Sequence, residues 1–154
     1  MRATPFERLG EFLTQRGVPH DVLRHVPVYT SEEAARVRNT SLSSGAKALV
    51  CKADDRFVLI VLPADRKLES KLTRKTLGIK SLRFASRDEV EQLTGLAPGS
   101  IPPFGSLFGL PTFCDAKLAD QPRINFNAGD HAISVQMPYA EYVRVENPSP
   151  LVFT

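Results

Sequence analysis

The chain has 154 residues, a formal net charge of +3, twelve prolines, nine glycines and only two cysteines. One domain of this length buries roughly 68–70% of its unfolded surface, so neither a structural metal nor a disulfide framework is needed. No apolar run approaches the ~18 residues of a membrane span, and Met1–Arg8 contains no secretory h-region; a soluble cytoplasmic protein is therefore expected.

In chain order, Thr4-Pro5-Phe6-Glu7 combines a helix cap, a proline in the first turn and a glutamate three residues on, followed by Phe6, Leu9, Phe12 and Leu13 at helical spacing. A first helix up to Gly17 follows. His20–His25 reads as a short extended segment. Thr30-Ser-Glu-Glu33 repeats the capping pattern ahead of a short helix that buries Ala34, Ala35 and Val37 and ends near Asn39. Ala46–Lys52 and Phe57–Leu62 read as a hairpin whose near-continuous apolar second strand is central. Leu68, Leu72 and Leu77 give the next helix its apolar face, with Gly78 placed to end it. Ile79–Phe84 is an expected strand, and Ser86-Arg-Asp-Glu89 caps a helix ending at Gly95. Leu110–Cys114, Arg123–Phe126 and His131–Met137 are three further strands, the last two joined by the turn Asn127-Ala-Gly-Asp130. Residues 146–154 read as an irregular tail, within one domain spanning 1–154. The fold class expected is α+β, with helices around a mixed central β-sheet, partly barrel-like.

Three features carry candidate chemistry. Gly95–Gly105 packs three glycines and three prolines into eleven residues, a stiff backbone with bare amides, which serves either as a shaped binding loop or as a stiffened connection across a sheet end. Lys47 interrupts an apolar strand and shares a face with Leu49 and Cys51. An inward Lys47 is desolvated, its pKa falls, and it becomes a base or an electrostatic stabiliser of developing negative charge; an outward one merely guards an edge strand. From Arg66 to Arg87 eight cations, including Arg66, Lys67, Lys71, Arg74 and Lys75, face the single anion Glu69. Such density suits either a docked phosphate backbone or a solvated helix face.

Other chemistries find little support. His20, His25 and His131 have no partner at ligand spacing, so no metal site is expected. The glycine loop lacks the patterns that cradle nucleotide phosphates, no G-x-S-x-G elbow is present, and no cofactor is called for. Cys51 and Cys114 sit in apolar runs as small core side chains. Asp115, closing an apolar strand, is either a site acid or a turn former, and Asn127 and Gly129 are site residues or turn residues.

Taken in order, Gly45-Ala-Lys-Ala-Leu-Val50, Gly95-Leu-Ala-Pro-Gly99, Gly99-Ser-Ile-Pro-Pro103-Phe-Gly105, Leu110-Pro-Thr-Phe-Cys-Asp115 and Phe126-Asn-Ala-Gly129 resemble the YbaK/EbsC family of prolyl-tRNA synthetase editing domains and their free-standing relatives. The resemblance runs from about Thr30 to Tyr142. It implies hydrolysis of the ester joining a wrong amino acid to the 3′-terminal adenosine of a tRNA, carried out in trans; a small residue such as Ala, Ser or Thr is expected, because a hydrophobic pocket excludes large side chains more easily than it rejects small ones. It places Lys47 in the catalytic position. Tyr29, Thr30, Gly99, Ser100, Ile101, Pro102, Pro103, Phe104, Gly105, Asp115, Asn127 and Gly129 become substrate-binding candidates, with Arg66, Lys67, Lys71, Arg74 and Lys75 on the acceptor stem. An aminoacyl-tRNA synthetase is a further candidate partner. Ala46 and Ala48 replace bulkier or polar residues common beside the family's lysine, which leaves the acylated residue open. The alternative reading is a non-catalytic tRNA-binding module or synthetase-associated partner on the same fold.

Overall fold

The computed structural model describes residues 3–154; Met1 and Arg2, part of the segment searched for a leader, lie outside them. The first helix, α1 (Pro5–Gln15), starts where the sequence demands: Thr4 Oγ1 accepts from the Glu7 amide at 3.1 Å, and the Glu7 carboxylate accepts from the Thr4 amide at 3.1 Å. Strand β1 (Asp21–Arg24) leads to α2 (Ser31–Arg38), which Thr30 caps and which Asn39 ends in the left-handed region at φ 55°. The hairpin β2 (Ala46–Ala53) and β3 (Arg56–Pro63) precedes α3 (Ser70–Leu77), β4 (Leu82–Phe84) and α4 (Arg87–Thr94). The chain closes with β5 (Thr112–Asp115), β6 (Arg123–Asn127), β7 (Ile133–Pro138), α5 (Tyr139–Glu146) and β8 (Ser149–Leu151).

The α+β architecture is the one expected, with its strands divided between two sheets, neither closed into a barrel. One has the order β4-β2-β3-β5-β8 and the other β1-β7-β6. They meet where Gly45 forms an isolated parallel bridge with Asn125. Strand β3 is central, between antiparallel β2 and parallel β5, and Val58 to Leu62 are completely buried, as a two-faced apolar run requires. Its two faces feed two cores. Leu59 and Val61 pack with Ala46, Ala48, Leu9, Leu13, Phe104, Phe126, Met137 and Tyr142; Val58, Ile60 and Leu62 pack with Cys51, Ala53 and Phe153. Both cysteines are free and buried, and burial pushes each thiol up to about 12, so they are inert core side chains.

Three elements differ from expectation. Leu68 lies ahead of α3, and Thr73 is the fully buried position of that helix, its hydroxyl donating to the Glu69 carbonyl at 2.8 Å. Tyr139–Glu146 is a helix the strand-like composition concealed. The segment 146–154 is docked rather than irregular over much of its length: Ser149–Leu151 pairs in parallel with β5, and Phe153 is fully buried. Its anchor is Asp115, fully buried, whose carboxylate accepts from the amides of Lys117 (2.8 Å) and Phe153 (2.9 Å) and from the Thr154 hydroxyl (3.0 Å).

Candidate active site

Pairing of β2 with β4 is confined to Cys51–Ala53, so the first half of β2 has β3 on one side only, apart from the Gly45 bridge. A cavity of about 160 Å³ opens there, between α2, the start of β2, the end of β6 and the glycine-proline loop. Tyr29, Thr30, Lys47, Gly99, Ile101 and Asn127 all contribute to its lining. Six sequence-derived candidates from four separate segments thus converge on one hollow.

Lys47 stands opposite Leu62 in the hairpin and is half-buried, with neither hydrogen bond nor ion pair among the described residues. Desolvation holds its ammonium below the ordinary lysine value; Glu32 opposes this, Lys67 adds to it, and Asp65 opposes it. A cation partly stripped of water and held in no ion pair is poised to bind an anion or a developing oxyanion. Of the twenty residues around the cavity, only Tyr29, Arg38 and Lys47 titrate, and none is a carboxylate, imidazole or thiol. The hollow therefore offers electrostatic stabilisation and positioning, with no residue fitted as a covalent nucleophile-base pair.

Arg38 is the functional candidate that sequence reasoning missed. It ends α2 one turn after Ala34, so both lie on the face that walls the cavity. Its Nε donates to Ser134 Oγ at 2.8 Å and its Nη2 to Asn127 Oδ1 at 2.9 Å. Asn127 Nδ2 in turn donates to the Gly99 carbonyl at 2.7 Å, tying the loop to the helix. Behind Ser134, His25 Nδ1 lies 2.7 Å from the Val26 carbonyl and Nε2 lies 2.8 Å from Ser134 Oγ. A carbonyl only accepts, so neutral His25 carries its proton on Nδ1, and the Ser134 hydroxyl donates to Nε2. With no carboxylate in the network, desolvation pushes the Arg38 guanidinium down to about 10.

The remaining loop candidates support the site from below instead of lining it. Ser100 is buried, its hydroxyl donating to the Ala97 carbonyl and its own carbonyl accepting from the Gly129 amide at 2.8 Å. Pro102 is buried too, and the Pro103 carbonyl accepts from the buried Tyr142 hydroxyl at 2.8 Å. Phe104 is fully buried, in edge contact with Phe12, Phe126 and Tyr142. At Gly105 a Cβ would stand 2.4 Å from Thr112 Oγ1 and 2.5 Å from the Leu110 carbonyl oxygen, so that glycine is required by packing. Gly129 has φ 86°, and a Cβ there would lie 3.2 Å from the Phe6 amide. Asp115 is spent on the C-terminal segment. At the mouth, Tyr29 is 72% exposed and its ring packs against His131 at a tilt of 39°, with centroids 4.8 Å apart.

On the rim, Arg66, Lys67, Lys71 and Lys75 are exposed, and Arg74 is half-buried with an unpartnered buried Nε. Arg83 is taken up by Glu89 in a two-bond ion pair. Because Lys67 acts electrostatically on Lys47, the basic segment begins beside the cavity.

A family profile described as the aminoacyl-tRNA editing domain matches residues 25–145. The chain is 35% identical over 152 residues to the multifunctional Ser/Thr-tRNA deacylase ProXp-y of Escherichia coli (strain K12), covering 96% of this chain and 91% of that one. It is 30% identical over 139 residues to the proline--tRNA ligase of Bacillus licheniformis, covering 82% of this chain and 24% of the ligase. A solved structure described as a candidate trans-editing enzyme for prolyl-tRNA synthetase superposes with a TM-score of 0.85 at 22% identity, covering 100% of this chain and 99% of that one, and shares the fold. The chain belongs to the aminoacyl-tRNA editing domain family. By class it is an aminoacyl-tRNA deacylase acting on a charged tRNA.

Proposed function

We propose that this chain removes a small, wrongly attached amino acid, serine, threonine or alanine, from the 3′-terminal adenosine of a tRNA, in trans. The observation that carries the reading is the unpaired, partly desolvated Lys47 on the wall of a cavity in which Ala34, Ala35, Gly45, Ala46, Ala48 and Ala64 supply small side chains. An aminoacyl ester is already activated, so hydrolysis needs a positioned water and stabilisation of negative charge on the carbonyl oxygen. Water adds to the ester carbonyl, Lys47 Nζ faces the resulting oxyanion, and collapse expels the ribose oxygen, which takes up the proton that the water releases. The products are the free amino acid and tRNA with an intact 3′ end. Gly99 and Asn127 fix the loop side of the cavity, and small walls exclude large side chains by contact. The relative named as a Ser/Thr-tRNA deacylase, matched over most of both chains, supports a hydroxylated or similarly small residue.

A deacylation panel tests this reading: seryl-, threonyl-, alanyl- and phenylalanyl-tRNA are incubated with the purified chain, and release of the amino acid is followed. Release of one or more of the three small residues with phenylalanine retained is expected; release of none, or of phenylalanine equally, contradicts it.

The exposed cations Arg66, Lys67, Lys71 and Lys75 are assigned to acceptor-stem phosphates, with Arg74 behind them, and a synthetase is the further partner able to deliver the charged tRNA. Four phosphate contacts give a slope of about −3 to −4 in log affinity against log salt, and Lys71→Glu with Lys75→Glu flattens it by about 2. Fluorescence anisotropy of labelled tRNA across a salt series reads both. An unchanged slope in the double variant removes α3 from the interface.

A further inference from the structure

One edge of Arg38 is unaccounted for. Nε and Nη2 are engaged by Ser134 and Asn127, while Nη1 has no hydrogen-bond partner among the described residues. The side chain lines the cavity, and Gly45 keeps the space beside it open: a Cβ on Gly45 would approach the Ala64 Cβ to 2.9 Å and Nη1 to 3.8 Å. Small side chains, Ala34, Ala35, Gly45 and Ala46, line much of the same cavity, and no side chain among the described residues accepts from Nη1. A guanidinium held in a fixed plane by two partners, with a donor edge directed at a small hollow, recognises an acceptor that the ligand must bring.

Resting on the deacylase reading above, we propose that Arg38 is a specificity-determining residue whose Nη1 edge donates to the side-chain hydroxyl of a serine or threonine acyl group. An alanyl group offers no acceptor side chain there. A site that hydrogen-bonds a substrate hydroxyl discriminates against an analogue lacking it, whereas apolar contact alone separates close homologues poorly. The His25–Ser134–Arg38–Asn127 chain gives the edge its fixed direction, and it links side-chain recognition to the Gly99 carbonyl through Asn127.

Binding of hydrolysis-resistant 3′-seryl-amido- and 3′-alanyl-amido-adenosine, measured by calorimetry on the parent chain, Arg38→Met and Arg38→Lys, tests the proposal without requiring turnover. The parent is expected to prefer the seryl analogue by about 10-fold or more, the scale of a hydrogen bond to a charged group. Arg38→Met is expected to bind both analogues alike, its folding reported separately by thermal unfolding. Arg38→Lys, unable to hold Ser134 and Asn127 while presenting a third donor, is expected to lose most of the preference. A preference preserved in both variants, a parent without preference, or an equal loss of both analogues overturns the assignment. The deacylation panel fails or succeeds separately: a parent that binds the seryl analogue selectively and hydrolyses nothing refutes the enzyme and leaves Arg38 standing.

Discussion

Replacing Lys47 by alanine is expected to lower kcat/KM for deacylation by about 10²–10³, the scale on which removal of one preorganised oxyanion donor acts, with the fold intact. The ammonium makes no ion pair or hydrogen bond in the free chain, so its removal breaks nothing; it removes a charge that folding has partly stripped of water. The sign of the stability effect follows from linkage. Because the folded state holds this proton less tightly than the unfolded state, stability rises as pH climbs through the lowered Lys47 pKa towards the ordinary value of 10.5, and this contribution is lost in Lys47→Ala. For catalysis, a lysine acting as a cation loses activity as pH rises through the same lowered pKa, once spontaneous ester hydrolysis is subtracted. Stopped assays of parent and variant, with thermal unfolding of both across pH, check the three statements. A variant with undiminished kcat/KM removes Lys47 from the reaction.

Asp115→Ala is expected to act in the opposite way, on stability and not on chemistry. Three donors, the amides of Lys117 and Phe153 and the Thr154 hydroxyl, lose their acceptor in a fully buried position. Lys117 Nζ, which holds the Thr154 carbonyl and hydroxyl, loses the order of its partner. A loss of about 3 kcal/mol is expected, since each orphaned buried donor costs about 1–3 kcal/mol and part of the segment can relax into water. At about 2–4 °C per kcal/mol for a chain of this size, Tm falls by about 6–12 °C. Below that transition kcat/KM stays near the parent value. A large kinetic defect with Tm unchanged would return Asp115 to the substrate site.

The contrast between these two residues shows what was legible in the sequence. Lys47 stood out because a charged residue set among Ala46, Ala48 and Leu49 breaks a period-two pattern; that pattern left open whether it faced inward or outward. Asp115 broke a similar pattern, yet its partners are residues 117, 153 and 154, and a long-range pairing of that kind leaves no local signal. The helices α1, α2 and α4 were readable from caps, each with a hydroxyl accepting from an amide three residues on. Helix α5 was not: Tyr139-Ala-Glu-Tyr-Val-Arg-Val-Glu146 is rich in aromatic and β-branched residues, and burial of Tyr142 with its bond to Pro103 overrides that local preference. Strand β8 carries Pro150, which is tolerated because it lies at a sheet edge. Within the glycine-proline loop, composition announced rigidity but not which residues face the cavity; Gly99 and Ile101 line it, while Phe104 and Gly105 are held in the core. Arg38 was hidden for an ordinary reason. A basic residue in the last turn of a helix complements the dipole, and only the tertiary approach of Ser134 and Asn127 turns it inward.

Single-turnover hydrolysis, with the purified chain in excess over tRNA charged with labelled serine and no synthetase present, is the most direct test of whether Lys47 and its cavity turn over a charged tRNA. First-order release of serine, leaving a tRNA that can be charged again, with the rate collapsing in Lys47→Ala, is the predicted result. Saturable binding of the tRNA with the label still attached after many half-lives of the predicted reaction would contradict it, and would make the cavity a recognition site without turnover.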